Sequence, residues 1–231
     1  MFSRPDYAAS LSPSITLDEH EMVRGSMRDS FLGCPELLLR AIRFISTERD
    51  TVAAMLQNKH SEYRRDHEVH LAAMLDLVEK FEFHESPFNL HYGESSFLRN
   101  QQETQRRHVL SEVYKLGTLI YGKRVLSALT EPGISFNNDV SRLLELLDML
   151  REDRESLKCV LWPVFVTGLE CTSPRQRQHF VTHLEEFWMT TKCLNAVNAA
   201  KILQDHWKRD GQEAVPWPFD SGRFGRLWLF M

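Results

Sequence analysis

The stretch from Leu157 to Cys171, LKCVLWPVFVTGLEC, constrains the fold more than any other part of the chain, because it is the most apolar and carries Pro163 and Gly168 inside it. Its apolar residues fall at 157, 161, 164, 165 and 168, the spacing of one helical face, but 160, 166 and 169 are apolar as well. A helix that is hydrophobic nearly all round belongs in the middle of a protein. The charge-free run from Cys159 to Leu169 is about half of the roughly 20 residues that cross a bilayer, so it is expected to be buried in protein. Pro163 either kinks this helix or opens a second one in its first turn. Gly168 is expected to let a neighbouring backbone come close, and Trp162 to be a buried ring.

Around such an element the chain has material for a substantial core: 231 residues, 42% of them hydrophobic, enough for one large domain or two small ones. The formal net charge of −4 argues against a nucleic-acid surface spread over the chain. Cys34, Cys159, Cys171 and Cys193 stand apart, with no C-x-x-C pair and no histidine at ligand spacing, so no zinc site is expected. They are expected to be free buried thiols. With no apolar signal segment at its start, the chain is expected to be intracellular.

Residues 1–27 have the composition of a flexible or weakly ordered tail, rich in Ser, Pro and Ala up to about residue 16 and weakly patterned beyond. A helical domain is expected over 28–231. Pro35 stands at a helix first turn, followed by the stripe Leu37, Leu38, Ala41, Ile42 and Ile45. A second helix is expected from Tyr63 to about Phe83, with Leu71, Met74, Leu75 and Val78 inward. A third, from Phe97 to Leu129, carries Val109, Leu110, Val113, Leu116, Gly117, Ile120, Tyr121 and Leu126 at helical spacing and should cross the core. A dense leucine run, Leu143 to Leu150, follows, capped by Asn137 or Asp139. Ser173-Pro174-Arg175-Gln176 reads as a capping box with proline at the first helical position. The helix it opens carries Phe180, Leu184, Phe187 and Trp188 on one face, with His179, His183, Glu185 and Glu186 outside it. A last helix, about Asn195 to Lys208, has the stripe Ala196, Ala200, Leu203 and Trp207. The terminal aromatic run must bury itself or find a partner. With no alternating Val/Ile-rich run, the expected fold is all-α: an irregular multi-helix bundle around a buried central helix.

Chemistry is much less legible than architecture. His67, Glu68 and His70 form H-E-x-H, one residue short of the H-E-x-x-H that sets two histidines on one helical face for zinc; they are expected to be solvated. Asn137, Ser141 and Glu145 put three oxygen ligands on one helix face, the arrangement with which all-helical terpene cyclases hold magnesium. The D-D-x-x-D partner that such a site requires does not occur, so no catalytic or metal-binding residue and no cofactor is assigned. Arg106-Arg107 and Lys123-Arg124 are short basic pairs, one of which has the character of a nuclear import signal; a solvated helix face accounts for them more simply.

LWPVFVTGLEC, then TSPRQRQHFVTHLEEF, NAVNAAKILQDHWKRD at Asn195 to Asp210, and Trp217 before a terminal LWLF resemble the fungal-specific transcription factor domain. GCPELLLRAIRFI at Gly33 to Ile45 and HVLSEVYKLGTLIYGKRVL at His108 to Leu126 are similar to its earlier helices. The resemblance covers about Arg28 to Met231. It implies the all-helical regulatory region that usually lies C-terminal to a six-cysteine binuclear zinc cluster in fungal regulators. Here the four cysteines are too few and too scattered for that cluster. The resemblance therefore implies a nuclear, non-enzymatic regulator of transcription without direct sequence-specific DNA binding of its own. Its partners would be other transcription factors or the transcription machinery, with no membrane, and with homo- or hetero-oligomerisation and a small ligand left open. The alternative is a helical ligand-binding protein or small biosynthetic enzyme on the same scaffold.

Overall fold

The computed structural model of the chain describes residues 33–58, 64–83, 94–130, 134–209 and 216–220. These fold into eight α-helices and one 3-10 turn, with no strand among the described residues. In chain order the helices are α1 (Glu36–Asn58), α2 (Arg64–Lys80), α3 (Glu94–Ser127), α4 (Asn137–Leu150), α5 (Arg154–Leu157), α6 (Leu161–Leu169), α7 (Pro174–Thr191) and α8 (Leu194–Lys208). The 3-10 turn spans Trp217–Phe219. The expected tail at 1–27, the loop at 84–93, the turn at 131–133, Gly211 and the terminal run at 227–231 lie outside the described residues.

Two helices organise the packing. The long α3 lies against α1, α2, α4, α6 and the 3-10 turn, while α6 lies against α3, α4, α7 and α8. Every residue of α6 from Pro163 to Leu169 is buried, as its all-round hydrophobicity predicts, and it has no polar face to turn outward. The stripes predicted for the other helices supply the rest of the core: Leu37, Leu38, Ala41, Ile42 and Ile45 on α1, Leu71, Leu75 and Val78 on α2, and Leu143, Leu144, Leu146, Leu147 and Leu150 on α4 are all buried. The expected all-α bundle is the observed one.

The central stretch resolves the question posed by Pro163. The backbone breaks after α5, turns through 158–160, and restarts at Leu161, so Pro163 sits within the first turn of α6, where its missing N–H costs no helical bond.

Several local expectations are corrected. Gly168 does not receive a neighbouring backbone: a β carbon there would lie 2.7 Å from Cδ1 of Leu203, a side chain. Trp162 is half-buried at the edge of the core, stacked on Tyr114 and edge-on to Tyr121 with ring centroids 6.3 and 6.1 Å apart. The N-cap of α4 is Phe136, with no side-chain cap, so neither Asn137 nor Asp139 caps it. Ser173 is the N-cap of α7 and Pro174 follows it, but the capping box does not close. Gln176 instead donates to Ser141 Oγ on α4 at 2.9 Å, so a helix–helix contact takes the side chain that would otherwise cap.

Candidate functional site

At the end of α6, segments distant in sequence meet through polar groups. A helix leaves its last carbonyls without intrahelical donors, and burying them demands partners from elsewhere. Here Trp207 Nε1 donates to Gly168 O at 2.9 Å, and His206 Nε2 to Leu169 O at 2.9 Å, both from α8. From α7, Arg177 Nε donates to Cys171 O at 3.0 Å while its guanidinium lies 5.7 Å over the Trp207 ring. The sequence WKRD at the end of α8 thus begins with a residue that caps the central helix.

Glu170, next in line, carries a carboxylate whose side chain is only 5% exposed. Removing a charge from water is tolerable only with a partner and satisfied hydrogen bonds. Arg124 of α3 supplies both: its Nε donates to Glu170 Oε1 at 2.6 Å and its Nη2 to Oε2. The guanidinium in turn lies 4.9 Å over the ring of Phe136. Trp217 of the 3-10 turn donates its indole N–H to Glu170 Oε1 at 2.6 Å and stacks on Tyr121, centroids 5.8 Å apart. One carboxylate therefore joins the central helix, the long helix and the 3-10 turn.

The expected basic pair at Lys123-Arg124 is consequently not a solvated face: Arg124 holds Glu170, and Lys123 lies 2.9 Å from Glu79. Arg106 and Arg107 are half-exposed, 3.8 Å from Asp153 and 2.5 Å from Glu103. The H-E-x-H residues divide: His70 is exposed, but His67 is largely buried and its Nδ1 lies 2.5 Å from Glu48 Oε2, tying α2 to α1. Asn137, Ser141 and Glu145 are all exposed on α4. Asn137 accepts from Thr172, Ser141 from Gln176, and Glu145 meets Arg142, so the three oxygens serve contacts within and between helices.

A second polar cluster escaped the sequence reading. His183, expected outside the apolar face of α7, is 7% exposed, with Nε2 3.6 Å from Asp148 and Nδ1 4.0 Å from Glu186 Oε2. Burial pushes its pKa below the ordinary histidine value, against the pull of the two carboxylates. Glu186 also receives Arg151. The four cysteines form no disulfide. Cys34 and Cys171 are buried as expected, while Cys159 and Cys193 are half-exposed. Burial raises the thiol pKa of Cys34 and of Cys159. Among the described residues, no group of three or more His, Cys, Asp or Glu side chains is placed to hold a metal ion, and no helix is long and apolar enough to cross a membrane.

The family model of the fungal specific transcription factor domain matches residues 2–226. The chain belongs to that family. Its role is accordingly a regulatory one in transcription, and the helices quoted for the resemblance are α1, α3, α6, α7 and α8 of the structure. No curated protein and no solved structure matches the chain significantly. The Glu170 junction of this regulatory domain has one signal in the sequence: a glutamate at the end of the most apolar stretch needs a cationic partner if the stretch is buried. Nothing in the spacing of residues 124, 170 and 217 shows that they meet.

Proposed function

We propose that this regulatory domain works in the nucleus through protein partners, other transcription factors or the transcription machinery, and leaves sequence-specific DNA reading to them. Its helical unit is 28–231, with 1–27 as an appended tail, and a small ligand tunes its state. The observation that carries the regulatory role is the family match over residues 2–226. The charge distribution supports the part about DNA. The net charge is −4, and Arg124 is committed to the buried Glu170 carboxylate, which leaves it poorly placed for phosphates.

The test fuses the full chain to an unrelated DNA-binding module and measures a reporter bearing that module's site, alongside binding of the unfused chain to duplex DNA at two salt concentrations. A change in reporter output with only weak, sequence-indifferent, salt-sensitive binding by the unfused chain is expected. Nanomolar binding to one site in the presence of competitor DNA would overturn the reading. Loss of a metabolite on deletion with transcripts unchanged would favour the alternative, a helical ligand-binding protein or small biosynthetic enzyme.

A further inference from the structure

We propose that the slot lined by Tyr121, Glu170 and Arg124 is a binding site for a small planar aromatic bearing a ring N–H, of the indole class, and that the chain's own Trp217 occupies it as a displaceable plug. The proposal rests on the reading that a small ligand tunes this domain, and it names that ligand's chemistry and place.

The slot provides the two things such a ring needs. Its wall is the face of Tyr121, on which the Trp217 ring lies with an interplanar angle of 26°. Its base is Glu170 Oε1, which takes the indole N–H at 2.6 Å. A desolvated carboxylate is a strong acceptor, so a ring without a donor at that point leaves it under-satisfied. Wall and base are held by groups other than Trp217. Tyr121 lies edge-on to Trp162, and its hydroxyl is 3.3 Å from Ser46 Oγ. Glu170 is clasped by Arg124, itself packed on Phe136. A site whose parts are fixed independently of their occupant is pre-organised for it.

The occupant is built as a plug. It is a three-residue 3-10 turn, Trp217–Phe219, with Pro216 before it and Pro218 within it. Neither proline has an N–H to offer the helices it lies on. Trp217 is 4% exposed, with Pro218 buried beside it and Phe219 half-buried against the core, and within the turn it is the indole that stacks on Tyr121 and bonds Glu170. A group carried on the same chain competes with a free ligand through its effective concentration. A free ligand therefore binds with an apparent affinity lowered by the fraction of chains whose slot is open.

The test uses the full chain with Trp217→Gly, which empties the slot, and follows thermal unfolding with indole and with benzofuran, the same shape without the N–H. Indole is expected to raise the melting temperature saturably, and benzofuran clearly less. No shift, or equal shifts, would overturn the proposal. Should Trp217→Gly fail to fold, wild-type chain carrying 5-fluorotryptophan is titrated with indole, the Trp217 fluorine signal being assigned with Trp217→Phe. That signal is expected to move towards the position of an exposed tryptophan, and a signal constant up to the solubility of indole would overturn the proposal. A chain that binds indole yet leaves the fused reporter unchanged sinks the regulatory reading alone. One that moves the reporter but ignores indole sinks the slot alone.

Discussion

The α carbon of Pro163 lies 3.1 Å from where a β carbon would stand on Gly117, so the long helix α3 and the central helix α6 meet backbone to backbone. Gly117→Ala is expected to lower stability by about 1–3 kcal/mol, since proline backbone cannot rotate away as a side chain can. Gly168→Ala meets only the terminal methyls of Leu203 and is expected to cost less. Denaturant melting of the two variants orders them; the reverse order would place the close approach elsewhere.

That contact also shows how much of the fold was legible. The glycine at 117 was expected among the apolar positions of a helix crossing the core, and the α6 stretch was expected at its centre; both are so. Periodicity identifies a buried face because it depends only on residues three and four apart. It cannot pair faces, so the sequence points to Gly168 for a close backbone approach that occurs at Gly117. The same limit explains the caps. Gln176 and Asn137 have side chains suited to local hydrogen bonds, but α4 lies close enough to α7 and to the segment before it for Ser141 and Thr172 to take them. The Glu170 junction was hidden for that reason too, since Arg124, Glu170 and Trp217 meet only through tertiary packing.

Trp162 is half-buried, so Trp162→Ala is expected to cost about 2–3 kcal/mol, below the range for a fully enclosed ring. Ser141→Ala, exposed but hydrogen-bonded to Gln176, should cost under about 1 kcal/mol. Urea melting compares them, and equal losses would contradict the placement of Trp162 against Tyr114 and Tyr121.

His183 gives a pH dependence with a definite sign. Its pKa is held below the ordinary value by burial, so between the folded value and about 6.5 the unfolded chain binds more protons than the native one. Its contribution to stability is complete above about 6.5 and is lost as pH falls through that window to the lowered folded value. Asp148, Glu186, Arg151 and His179 all act on the ring, so the comparison is with His183→Gln. Stability measured from pH 8 to pH 5 should fall more steeply for the parent chain than for the variant. Parallel curves would show that His183 does not sense the change.

Thiol labelling of the folded chain checks the burial of the cysteines. Cys159 and Cys193, half-exposed, are expected to react with iodoacetamide ahead of Cys34 and Cys171, which should label only on unfolding. Mass spectrometry of the digested protein reads the order, and early labelling of Cys34 would contradict the packing at the start of α1.

The most direct test of the central claim, that the carboxylate at the end of α6 ties the regulatory domain together, is a double-mutant cycle of Glu170→Ala and Arg124→Ala read by denaturant unfolding. Arg124→Ala should cost about 3–5 kcal/mol, because it leaves the buried Glu170 carboxylate with no cation and only the Trp217 N–H, and Glu170→Ala should cost less, because the Arg124 side chain is 23% exposed. The double variant should cost well below the sum of the two, giving a large coupling between the two sites. Losses that are small and simply add would contradict the account, because Glu170 would then be an exposed glutamate and the end of α6 an ordinary surface.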